Sequence, residues 1–108
     1  MIIYEVNLTI DNEIYAEFQL WLKQHINDML KFPGFNQANL LKLEQDEFSD
    51  KQQLTIQYQL ENRNDLEIYF TKFATQMREA GIQRFNNKFS VTRRIFEIIV
   101  TANLKTNR

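Results

Sequence analysis

The chain has one histidine, His25, four residues after its only tryptophan, Trp21. On a helix that spacing makes the two side chains neighbours. A histidine so placed can act as a general base or ligand contact at the mouth of a cavity, since its ordinary pKa lies near neutrality. The plainer reading, and the commoner one, is a partly buried helix histidine hydrogen-bonded to backbone. The second chemical feature is the pair Arg93-Arg94. A strand sends one of these guanidinium groups to each face, and a guanidinium grips carboxylate or phosphate through two parallel hydrogen bonds. The competing reading is an ion pair with Glu5 or Glu97.

Much chemistry is excluded at once. There is no cysteine, so disulfides, thiolate metal sites and cysteine nucleophiles are ruled out. One histidine cannot supply a zinc ligand set. Acidic residues form no convincing pair; Asp46 and Glu47 fall in a polar connection where solvation accounts for them. No metal and no cofactor are expected. The only glycines are Gly34 and Gly81, too few for a phosphate-cradling loop. A serine triad would need Ser49 or Ser90 with His25. Ser49 falls in a hairpin loop and Ser90 in a strand, and nothing supports either.

The frame that positions these residues fits a single domain of 108 residues, 44% of them hydrophobic. The net charge of -1 argues against a generally basic nucleic-acid coat. Charge is nonetheless uneven. Residues 1–54 hold 4 basic and 9 acidic side chains, and residues 55–108 hold 9 and 5. Such asymmetry could steer an anionic ligand or a partner, although interleaved halves need not make a patch. No stretch approaches the roughly 20 apolar residues of a membrane span, and the first residues do not read as a secretion signal. A cytoplasmic protein without a membrane partner is expected.

Residues 2–10 alternate, with Tyr4, Val6, Leu8 and Ile10 on one face and Glu5, Asn7 and Thr9 on the other. That is a half-buried strand. Asp11-Asn12 should cap a helix over residues 13–31, whose stripe is Ile14, Phe18, Leu22, Ile26 and Met29, widened by Tyr15, Trp21 and His25. Pro33-Gly34 should stop it. Residues 36–47 read as a second strand, 46–52 as a hairpin connection and 53–60 as a third strand, with Leu54, Ile56, Tyr58 and Leu60 in phase. A helix capped at residues 62–65 carries Leu66, Phe70, Phe73, Met77 and Ala80 and should end at Gly81. A last strand spans 88–100.

The order β-α-β-β-α-β predicts a ferredoxin-like α+β domain over residues 1–100, with a polar tail at 101–108. Right-handed crossovers give strand order 4-1-3-2. Two helices cover one face of the antiparallel sheet. The other face then carries Glu5, Asn7, Thr9, Thr55, Gln57 and Gln59. On the last strand Arg93 and Glu97 share one side, and Arg94, Phe96 and Ile98 the other. Both sides contain apolar residues, so the pattern alone does not orient them. The uncovered face can be solvated, a sheet-to-sheet dimer interface with a polar cavity, or a ligand cleft.

The stretches Met1-Ile2-Ile3-Tyr4-Glu5-Val6, Trp21-Leu22-Lys23-Gln24-His25-Ile26, Pro33-Gly34-Phe35, Gln57-Tyr58 and Arg93-Arg94-Ile95 resemble, in the same order, a bacterial domain-of-unknown-function family. That family is similar to the dimeric α+β-barrel superfamily, and the resemblance covers about residues 1–99. It implies a homodimer in which two sheets pack face to face, and it implies nothing catalytic. The superfamily includes cofactor-independent and haem-degrading oxygenases. Asn7 is similar in position to the asparagine of their motif, but that motif wants Trp and His on or near the second helix. Here Trp21 and His25 belong to the first, which argues against oxygen or haem chemistry.

Ile3-Tyr4-Glu5-Val6-Asn7-Leu8 also resembles the first-strand motif of an RNA-recognition module. Such a module needs glycine and outward aromatics on the third strand. Residues 53–59 contain no glycine, and Tyr58 and Tyr4 are in phase with core residues. Nucleic acid is therefore not an expected partner.

The sequence points to a homodimer joined through its sheet face, acting as a small-molecule-binding or structural module. Its pocket would lie between sheet and helices or along the dimer seam, lined by Asn7, Trp21, His25, Gln57, Tyr58 and Arg93. In the catalytic alternative, an oxygenase or isomerase without cofactor acting on a small organic substrate, His25 is the base and Arg93 steadies an anionic oxygen. A third reading is a regulatory partner-binding domain.

Overall fold

The computed structural model describes residues 1–46 and 48–104. Strand β1 (Ile2–Asp11) leads through one 3-10 turn (Asn12–Ile14) into helix α1 (Tyr15–Met29). Strands β2 (Phe35–Lys42) and β3 (Lys51–Leu60) follow as a hairpin. Helices α2 (Arg63–Lys72) and α3 (Ala74–Phe85) precede β4 (Phe89–Glu97). The sheet order is β2-β3-β1-β4, antiparallel throughout. This is the expected ferredoxin-like arrangement read from the other edge. Of the expected second strand and its connection, Glu47 lies outside the described residues, as do residues 105–108 of the expected tail.

Alternation explains the sheet. Tyr4, Leu8 and Ile10 of β1 and Leu54, Ile56, Tyr58 and Leu60 of β3 are buried beneath the helices. In the β1–β3 register Tyr4 faces Tyr58, Val6 faces Ile56 and Leu8 faces Leu54. Phe18, Leu22 and Met29 come down from α1, Leu66 and Tyr69 from α2, and Ala74 and Phe85 from α3. Each buried Leu, Ile, Met or Phe among them contributes roughly 1.5–3 kcal/mol by leaving water. Phe18 gathers Phe85 at 4.9 Å, Phe89 at 5.1 Å and Trp21 at 5.6 Å between ring centroids.

Four local expectations are corrected. Asp11 does not cap α1 with its side chain; its carboxylate takes Lys51 Nζ at 2.7 Å. The expected long second helix is two helices, because Phe73 leaves helical dihedrals (φ -127, ψ -25) where its ring stacks on Phe32 at 4.5 Å. The start is as expected, with Asn62 Oδ1 accepting from the Asp65 N–H at 3.0 Å. Gly81 does not end the helix. It lies within α3, and a Cβ there would come within 2.9 Å of Trp21 Cη2. Its role is close approach of helix to ring, and Asn86 (φ 55) follows the last helical residue. Finally β2 and β4 are shorter than expected, ending at Lys42 and Glu97.

Candidate functional site

Register with β1 settles the orientation of β4. Val6 faces Arg93, and Glu5 faces Arg94. Arg93 therefore lies on the helix side with Tyr4, Val6 and Tyr58, while Arg94 lies on the open side.

On the open side, β1 and β3 set Glu5 beside Gln57 and Asn7 beside Thr55. Glu5 Oε1 accepts from Asn7 Nδ2 at 3.0 Å and from Arg94 Nε at 2.8 Å, and Oε2 accepts from Gln57 Nε2 at 3.2 Å. Asn7 Oδ1 in turn accepts from the Thr55 hydroxyl at 2.8 Å. Glu5 is only 4% exposed, shielded by these neighbours rather than by depth. The Asn7 hydrogen bond, then those from Arg94 and Gln57 and the Arg94 charge, hold its carboxyl below the usual range against the opposing effect of burial. Around this polar patch stand the exposed apolar side chains Leu41, Leu43 and Phe96.

On the helix side is a cavity of about 60 Å³. Trp21 and His25 enter it from α1, Tyr58 from β3 and Arg93 from β4. The Trp21 and His25 rings stack at 4.7 Å with 20° between planes. Of the six residues expected to line one pocket, these four converge. Asn7 and Gln57 do not join them. They lie across the sheet, because a strand turns alternate residues to opposite faces. Asn7 is thus separated from Trp21 and His25 by the sheet, engaged with Glu5 and Thr55. The expected ion pair to Glu5 forms at Arg94, and Arg93 has no such partner among the described residues.

One charged cavity residue was missed in the sequence. Arg78 reaches in from α3; its Nη2 donates to the Tyr4 hydroxyl at 3.2 Å, and its guanidinium lies 5.8 Å from the Phe70 ring centre. Its position four residues after Ala74 and eight after Phe70 puts it on the apolar stripe, a signal present in the spacing. Burial pushes the Tyr58 and Tyr69 hydroxyls well above their ordinary pKa, so both rings present neutral phenols. No metal-capable cluster of His, Cys, Asp and Glu occurs among the described residues.

Two of the perturbed groups, His25 and Glu5, make stability depend on pH below neutrality. Burial lowers the pKa of His25 below 6.5, partly offset by the nearby Asp28 charge. The unfolded chain therefore takes a proton that the folded protein resists. That contribution is complete above pH 6.5 and is lost as pH falls through the lowered folded value. Glu5, also lowered, contributes fully above pH 4.5 and loses its share below. The urea midpoint should fall in two stages between pH 8 and pH 3. His25→Phe, which keeps a stackable ring, should remove the upper stage, and Glu5→Gln the lower.

Topology and layers together define a ferredoxin-like α+β domain, a fold shared with solved antibiotic biosynthesis monooxygenases. A crystal structure so classed, from Deinococcus radiodurans, superposes with TM-score 0.73 at 15% identity, covering 98% of this chain and 100% of that one. SnoaB, a cofactor-independent oxygenase from Streptomyces nogalater, gives TM-score 0.66 at 14% identity over 93% and 95% of the two chains. The de novo designed protein Foldit4 shares the fold too, with TM-score 0.57, 7% identity and coverage of 90% and 97%. At such identities the likeness establishes architecture, and architecture alone assigns no chemistry. The chain belongs to the family described as a domain of unknown function (DUF4286), which matches residues 1–99. No curated protein matches the sequence. No helix among the described residues is long and apolar enough to cross a membrane.

Proposed function

We propose that the protein is a homodimer, joined through the open sheet face, that binds a small organic molecule in the cavity between each sheet and its helices. The observation that carries the reading is the convergence of Trp21, His25, Tyr58 and Arg93 on that one cavity. An apolar hollow with a few polar groups is the usual form of a ligand site. Its present volume equals roughly two water molecules, so a larger ligand displaces side chains or extends past the exposed Arg93. Met29 and Met77 are part of the wall, and methionine is the side chain that yields most easily.

The dimer reading draws on the open face. Its central carboxylate has hydrogen bonds to both oxygens within the same chain, so a second sheet could cover it without stranding a charge. Leu41, Leu43 and Phe96 supply apolar area around it. A cytoplasmic location belongs to the same proposal and is checked by cell fractionation.

The catalytic alternative draws on the place of His25 in the cavity wall, where an imidazole can reach a bound substrate. In that reading the protein is a cofactor-independent oxygenase or an isomerase. His25→Phe would then bind substrate yet lose turnover.

Trp21 is the only tryptophan, so its emission reports the cavity directly. Titration with phenol and benzyl alcohol should produce a saturable change. Unchanged emission up to the solubility of both would count against the cavity as a ligand site.

A further inference from the structure

We infer that the ligand carries a carboxylate and that Arg78 and Arg93 hold it. This rests on the cavity being the ligand site. Both arginines line the cavity, one from α3 and one from β4. Neither forms an ion pair among the described residues, whereas Arg63 and Arg94 each meet a carboxylate. Arg78 is the more telling. Its Nε is buried and has no hydrogen-bond partner in the protein, while Nη2 donates to Tyr4. A buried charged donor left unmatched is costly, and proteins keep few of them. An acceptor arriving with the ligand would remove that cost.

The remaining wall narrows the ligand class. Tyr4, Tyr58 and Tyr69 are buried phenols and the rest of the lining is largely aliphatic and aromatic. The cavity has no carboxylate or lysine in its lining, so its formal charge comes from the two guanidinium groups and favours an anion. A guanidinium is a planar fork that matches a planar oxyanion. The volume of about 60 Å³ accepts a carboxylate and leaves the body of the molecule to pass the exposed Arg93 or to press Met77 aside. The class is an apolar or aromatic carboxylic acid.

Benzoate and benzamide test this, since they share shape and differ in charge. Trp21 fluorescence is the readout. Wild-type protein should bind benzoate at least tenfold more tightly than benzamide. Arg78→Gln and Arg93→Gln should each weaken benzoate about tenfold and leave benzamide unchanged. Arg93 is exposed, so its variant keeps the fold even if that of Arg78 does not. Equal binding of the two probes, or benzoate binding unaffected in Arg93→Gln, overturns the carboxylate assignment while leaving the cavity as a ligand site. Binding of neither probe removes the cavity reading and this inference together.

Discussion

Phe18→Ala should cost about 3–5 kcal/mol of folding stability, the range for emptying a fully buried aromatic position. Phe18 has no exposed surface. It is the point where α1, the end of α3 and the start of β4 meet, through its contacts with Trp21, Phe85 and Phe89. Alanine would leave a hole between three elements that cannot all close on it. Folded domains are stable by only about 5–15 kcal/mol, so the loss is a large part of the whole. The same ring also lines the cavity, so the variant should widen it and loosen Trp21. Urea unfolding followed by Trp21 emission measures both effects. Leu20→Ala, on the same helix but 72% exposed, should move the midpoint within about 0.5 kcal/mol. Equal effects of the two substitutions would contradict the assigned core.

The second large effect concerns the open face. Glu5→Ala removes the acceptor shared by Asn7, Gln57 and Arg94. In a separate chain the freed donors return to water, and Arg94 is already 63% exposed along its side chain. In a sheet-to-sheet dimer they would be covered, leaving a buried guanidinium without its partner. Removing one member of a buried ion pair costs about 3–5 kcal/mol, which is on the order of a hundredfold or more in dissociation constant. Sedimentation velocity across a concentration series should therefore show the dimer of Glu5→Ala dissociating at concentrations where wild type stays associated. An unchanged dissociation constant would mean that copies meet elsewhere.

Much of this architecture was legible in residue order. The alternation of Tyr4 through Ile10 and of Leu54 through Leu60 marks two central strands and their buried side, because a pleated strand has no other way to bury one face. The turn from period two to helical spacing after Ile10 marks α1. What escaped depends on contacts between distant segments. Arg93 and Arg94 are flanked by apolar residues on both sides, so only pairing with β1 orients them. The break at Phe73 has no proline or glycine to announce it. Gly81 looked like a helix terminus because a left-handed terminus and close approach by an indole ask for the same residue.

The site was legible in part for similar reasons. Trp21, His25 and Tyr58 share a cavity because their phases agree with the core pattern, and the pairing of β4 with β1 brings Arg93 to it. Gln57 could not have joined Tyr58, since adjacent strand residues face opposite ways. Asn7 is excluded by the same parity, one step from Val6 and Leu8. Arg78 shares the phase of Phe70 and Ala74, yet an arginine on an apolar stripe passes easily for a helix-edge residue that keeps its charge in water.

The proposed function gives two faces separate tasks, an open sheet face joining copies and a helix-side cavity holding a ligand. Native mass spectrometry of gently purified protein tests both together. A species of twice 13.1 kDa, carrying added small-molecule mass that disappears under denaturing conditions, is the predicted result. A bare monomer at micromolar concentration would contradict it.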